Sequence, residues 1–156
     1  MGNNQLSKNS QVILKNHGAL KALSQSDITN TVKVLTIEGK GIVHFEHHHS
    51  DMPAPKSKYY IYIDNLIINQ GSRLVVQGWK EGRDFLFVRK TSPNLADALT
   101  KLSFQGYDPA NINLRDYNRD YWQISALPEP TAYGALLSIG GIGLWAWRQR
   151  KRLPRS

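Results

Sequence analysis

Seventeen consecutive residues, 131–147, carry no charge, and Arg148-Gln149-Arg150-Lys151-Arg152 follows at once. A run of this kind has two physical solutions: a helix buried in a soluble core, or a helix in lipid. As a helix it rises about 26 Å, slightly less than the ~30 Å hydrocarbon thickness, so it spans only with help from its flanks. Trp145 and Trp147 suit the interfacial belt, and the residues from Arg148 onward can reach lipid headgroups. Gly134, Gly140, Gly141 and Gly143 would make a poor soluble helix, each costing about 1 kcal/mol relative to Ala. In lipid, those glycines and Ser138 permit close helix contacts instead. The sequence therefore predicts a short transmembrane helix over 131–147. The positive-inside bias keeps the tail 148–156 in the cytoplasm and places residues 1–130 on the other side of the membrane.

The same tail changes how the net charge of +8 is read. Five of the 20 basic residues (Arg148, Arg150, Lys151, Arg152 and Arg155) lie in the last nine positions, so the remainder carries +8 − 5 = +3. A nucleic-acid module needs its positive charge interleaved with the folded elements, where it can neutralise phosphates, and this chain is not of that kind. With no Cys in the sequence, a disulfide framework, a thiolate metal site and a Cys nucleophile are all excluded.

Residues 31–127 read as a β-rich body. Short apolar, β-branched and aromatic runs (32–37, 42–47, 59–63 continuing through 66–68, 74–76, 85–88) alternate with turn residues such as Glu38-Gly39-Lys40-Gly41 and Asn69-Gln70-Gly71-Ser72. Ser92 as N-cap and Pro93 at the first helical position predict one short helix over 94–102. Residues 112–115 and 121–125 flank a polar turn and predict a closing hairpin. Alternation of short strand and turn suits successive coils of a solenoid, and it also suits a sandwich. The expected class is thus mainly β, with a solenoid- or sandwich-like body, one short helix and a C-terminal transmembrane helix. Residues 1–30 read as a polar N-terminal segment whose short apolar pieces are interrupted by Lys15, His17 and Lys21. They hold no apolar stretch long enough for an ordinary secretory signal.

Pro128-Glu129-Pro130, the Gly-rich apolar span and the terminal basic cluster occur in that order, and together they resemble the PEP-CTERM sorting signal of exported bacterial proteins. The match covers residues 128–152. The resemblance implies that Pro128, Glu129 and Pro130 are the motif recognised by an exosortase-type transpeptidase, which cuts nearby. It implies that 131–147 is a transient anchor and that Arg148, Arg150, Lys151 and Arg152 are the stop-transfer cluster. The partners implied are the membrane, the processing enzyme and the exopolysaccharide matrix; the body would be delivered to the cell surface or that matrix. More loosely, 66–72 and 121–124 are similar to the distal ends of long β-solenoid surface proteins bearing this signal. Substrates of this kind need an export signal, so the chain is expected to be the distal fragment of a longer surface protein.

Other chemistry is sparse. His44, His47, His48 and His49, with Glu46 and Asp51 nearby, could supply a two-His chelate from an extended chain, but no third ligand on a second element is identifiable and no metal site is assigned. Tyr59, Tyr60, Tyr62, Trp79, Tyr121 and Trp122 could form an aromatic platform for sugars, although alternation sends about half of such residues into a core. Asp108, Asp116 and Asp120 lie in or beside turns, where Asp caps and bends the chain. With no nucleophile elbow and no phosphate-cradling glycine loop, no catalytic residues and no cofactor are assigned. The expectation is a noncatalytic envelope or surface protein, with a sugar- or metal-binding extracellular module as the alternative.

Overall fold

A computed structural model describes residues 6–7, 9–23, 27–47 and 57–127. The strands are β1 (Gln11–Lys15), β2 (Ala19–Leu23), β3 (Ile28–Glu38), β4 (Lys40–Glu46), β5 (Tyr59–Ile68), β6 (Arg73–Gln77) and β7 (Asp84–Arg89). A helix, α1 (Leu95–Thr100), precedes β8 (Leu102–Phe104), β9 (Ile112–Asp116) and β10 (Tyr121–Ala126). The described residues are therefore mainly β with one short helix.

From β1 to β8 the odd- and even-numbered strands separate into two sheets, and the β9–β10 hairpin extends the first; the orders are β1-β3-β5-β7-β10-β9 and β2-β4-β6-β8. Pairing is parallel from β1 through β7 in the first sheet and throughout the second. Each coil lays one strand on each sheet and the next coil stacks upon it, which is a solenoid; a sandwich would be built from antiparallel pairs. The β9–β10 hairpin pairs antiparallel with β7 and ends the parallel stack of the first sheet.

Stacking in register turns the apolar residues of successive coils into columns. Leu14, Ile37 and Ile68 form one column, and Val12, Leu35 and Leu66 a second. On the opposite sheet Leu20, Val43, Val76 and Phe104 form a third. Nearly all of these residues are buried, and each fully buried aliphatic side chain contributes about 1.5–3 kcal/mol.

The β-structure begins at Gln11, so the polar segment expected over 1–30 gives way to the first coil. Val12, Leu14, Leu20 and Ala22 point inward while Ile13, Lys15, Ala19 and Lys21 point out. The lysines that interrupt the apolar pieces are the outward half of a strand alternation.

In β3 and β5 the inward parity slips once. Lys33 and Val34 both avoid the core, as do Asp64 and Asn65, and Val34 pairs with Asn65, so the two slips stack. Before the slip Ile28, Asn30 and Val32 are inward; after it Leu35 and Ile37 are. The slip fixes Tyr60, Tyr62 and Asp64 on the outer face of β5.

The corners between sheets carry their own hydrogen bonds. Gly39 N–H donates to Ser72 Oγ at 2.8 Å, and Leu66 N–H donates to Ser92 Oγ at 3.0 Å. This corrects the expected role of Ser92. The residue preceding α1 is Asn94, in a left-handed conformation with φ 57°, and α1 has no side-chain cap. Ser92 is buried and spends its oxygen on the neighbouring coil.

Candidate functional site

Two side-chain clusters stand out. The first lies on the outer face of the first sheet. Residues 60 and 62 of β5 and residues 85 and 87 of β7 alternate outward in register, Tyr60 beside Phe85 and Tyr62 beside Phe87. Tyr60 and Phe85 stack with ring centroids 5.0 Å apart and planes 9° apart, Tyr62 and Phe87 at 4.5 Å and 17°. Phe85 and Phe87 are within 3° of parallel. Tyr117, at the turn of the hairpin, folds back to 4.3 Å from Phe87. Phe87 is thereby buried although its strand position points outward.

Beside these rings Asp64 Oδ1 accepts from Arg89 Nε at 2.9 Å and from the Tyr121 hydroxyl at 2.6 Å, and Arg89 also donates to Tyr121 at 3.1 Å. Burial raises the pKa of Tyr60, Tyr62 and Tyr121 above the ordinary phenol value, and the neighbouring phenols add to it for Tyr62. The ring faces and hydroxyls of this surface suit hydrogen bonding and stacking, and the phenols stay protonated at neutral pH.

The second cluster is interior. His47, just beyond β4, reaches across to the first residue of β7, where its Nε2 lies 2.9 Å from Asp84 Oδ2 and 3.2 Å from the Gly78 carbonyl. Asp84 Oδ2 also accepts the Lys80 N–H, and the Trp79 indole N–H donates to the Asp84 carbonyl at 3.0 Å. Tyr59 meets the His47 ring edge-on at 5.2 Å. Burial raises the Asp84 pKa, opposed by the Lys80 N–H and by His47. The cluster clasps the two sheets together.

The residues singled out in the sequence distribute between these places and elsewhere. Tyr59 and Trp79 are core residues, and Trp79 packs against Phe104 and Tyr107. Tyr60, Tyr62 and Tyr121 share the outer face, while Trp122 instead lies under the Lys90 ammonium at 4.7 Å. Glu46 pairs with Lys21 rather than with a histidine. Among the described residues, no three His, Asp or Glu side chains come together as a metal site. Asp108 closes its turn on the Ala110 N–H, and Asp116 pairs with Lys90 at 2.7 Å. Phe85, Phe87, Asp64 and Arg89 were not singled out, although the matched spacing of Tyr60-Ile61-Tyr62 and Phe85-Leu86-Phe87 carries the signal for the stack.

His48, His49, Asp51, the motif Pro128, Glu129 and Pro130, the span 131–147 and Arg148, Arg150, Lys151 and Arg152 lie outside the described residues. Among the described residues no helix is long and apolar enough to cross a membrane. The last described residue, Leu127, donates its N–H to the Asn111 carbonyl at 2.8 Å, so the hairpin holds the chain one residue before the motif.

No protein-family model, curated protein or solved structure matches the chain.

Proposed function

We propose that this is a noncatalytic envelope or surface protein, a β-solenoid body carried across the membrane and processed at a C-terminal sorting signal. The observation that carries the reading is the ordered constellation at the C-terminus: Pro128-Glu129-Pro130, seventeen uncharged residues, then Arg148, Arg150, Lys151 and Arg152. Each part has a physical task. The prolines keep the motif extended and readable as a peptide, the glycine-rich span makes a marginal anchor, and the arginines resist translocation.

The strand order supports the further reading as the distal end of a longer solenoid. In the first sheet the antiparallel hairpin terminates the parallel stack after β7, whereas the outer edge of β1 has no strand partner among the described residues. A reporter inserted between Leu127 and Pro128 of the full chain, carried behind whatever export signal precedes it, tests the topology. The reading requires the reporter outside the cytoplasm and membrane-bound before processing; a cytosolic, freely soluble reporter contradicts it.

A second reading, a sugar-binding extracellular module, is favoured by the ring wall that Tyr60 and Tyr62 make on the outer face.

A further inference from the structure

Two residues of like charge meet in register on the outer face of the second sheet. Lys40 of β4 and Arg73 of β6 are direct partners, and both sit at outward positions, with Gly41 and Leu74 buried next to them. Neighbouring strands lie about 4.8 Å apart, so the two stems leave the sheet side by side. Like charges laid directly opposite each other destabilise a sheet. The first sheet is arranged the other way where it meets the same corner: Lys15 faces Glu38 in register and pairs with it at 3.0 Å.

The acids of this corner are already committed. Glu38 holds Lys15, and Asp97 holds Lys101 at 2.7 Å. Among the described residues neither Lys40 nor Arg73 enters an ion pair. The turns that build the corner, 16–18, 39 and 69–72, all lie within the described residues, and Arg73 is exposed. The sheet therefore carries a local repulsion that its own side chains do not relieve and that a bound anion would.

The next outward rung is apolar. Ile42 and Val75 are half-buried and in register, and Ala19 and Ser103 continue the rung onto β2 and β8, so it crosses four coils along the solenoid axis. Phe45 and Phe104 of this sheet point inward, and no Tyr, Trp or Phe stands at an outward position of its four strands.

From this arrangement we infer that Lys40 and Arg73, with the shelf of Ile42 and Val75, bind a linear polyuronate, a polysaccharide with a carboxylate on each sugar, lying along the solenoid axis. A carboxylate between the two cations removes their repulsion, and the Arg73 guanidinium can donate to both of its oxygens. The C–H faces of the sugar rings are apolar and suit Ile42 and Val75, while the Ser103 hydroxyl offers a donor and an acceptor at the end of the shelf. A pyranose unit is about as long as the ~4.8 Å step from one coil to the next, so successive sugars meet successive coils. A single-stranded nucleic acid would need aromatic platforms for its bases, and this face has none among the described residues.

The inference rests on the surface-protein reading and supplies its ligand class. The test is the thermal midpoint of the full chain, in an uncharged detergent without calcium, with hexagalacturonate and separately with hexamannuronate. The basic cluster at 148–152 also attracts polyanions, so the decisive comparison is with variants that keep it. At tenfold excess over Kd the wild type is expected to gain about 4 °C from at least one oligouronate. Neutral cellohexaose, oligothymidylate and inorganic phosphate are expected to give less than half of that shift. Lys40→Glu lays an acid beside Arg73, as Glu38 lies beside Lys15, and is expected to keep or raise the ligand-free midpoint while losing the oligouronate shift. Arg73→Gln, at an exposed position, is expected to lose the shift as well. No shift of the wild type by either oligouronate at millimolar concentration, or an undiminished shift in Lys40→Glu, overturns the assignment. An equal shift by cellohexaose, oligothymidylate or phosphate overturns it too. Failure here leaves C-terminal processing untouched, whereas an unprocessed C-terminus with an intact oligouronate shift contradicts the sorting reading and leaves this site standing.

Discussion

His47 Nε2 lies 2.9 Å from Asp84 Oδ2, joining the end of β4 on one sheet to the start of β7 on the other, with Asp84 inaccessible to solvent. Among the described residues, Asp84 Oδ1 and His47 Nδ1 have no further partner. Removing one member of such a pair strands the other without compensation. His47→Ala is expected to destabilise the fold by about 3–5 kcal/mol in urea denaturation. Asp84→Asn keeps an acceptor for the Lys80 N–H and carries no charge, so it is expected to cost less than His47→Ala.

The Asp84 pair also predicts a pH dependence. Burial raises the folded-state pKa of Asp84 above its ordinary 3.8, so between those two values the folded protein holds a proton that the unfolded chain has released. That contribution to stability is complete below the unfolded pKa and is lost as pH rises through the folded one. The stability difference between wild type and Asp84→Asn should therefore shift against the wild type as pH rises from about 3.8 towards neutrality. Paired urea melts over that range measure it, and a difference that does not change with pH contradicts it.

Gly78 and Gly71 should respond very differently to the same substitution. Both have positive φ, 68° and 72°, which costs a side chain about 1–2 kcal/mol. A Cβ on Gly71 meets nothing within 4 Å, whereas one on Gly78 would lie 2.2 Å from the Phe45 carbonyl oxygen. Gly71→Ala is expected to cost only the backbone term. Gly78→Ala should cost well beyond it, read as the larger drop in thermal midpoint.

Ser92 and Phe87 test the coil-to-coil contacts. Ser92→Ala leaves the Leu66 N–H buried without its oxygen, a loss of about 1–3 kcal/mol. Phe87→Ala should cost about 3–5 kcal/mol, as for a core aromatic, because Tyr62 and Tyr117 bury it on the outside of the sheet. Chemical denaturation of each variant gives both values.

The strands from β3 to β7 and the β9–β10 hairpin were legible because each alternates or runs apolar between turn residues. What decided between solenoid and sandwich was pairing between strands that are not neighbours in sequence, such as Ile37 with Ile68, and local pattern does not encode it. The first coil was missed because Lys15 and Lys21 look like interruptions when read singly and like outward positions when read with period two. The Ser92 signal failed for a tertiary reason: a cap and a bond to the neighbouring coil compete for one hydroxyl, and the buried Leu66 N–H has no solvent to fall back on. The outer stack was half visible, since Tyr60 and Tyr62 were singled out while the phenylalanines that orient them belong to the next coil.

The central claim, that the C-terminal constellation is a sorting and processing signal, is tested most directly by the mass of the C-terminus. The protein would be recovered from a bacterium carrying an exosortase-type transpeptidase and its C-terminal peptide sequenced by mass spectrometry. The account predicts a surface-associated product that ends near Pro128-Glu129-Pro130 and lacks Arg148 to Ser156. A product that ends at Ser156 and stays in the soluble cytosolic fraction would contradict it.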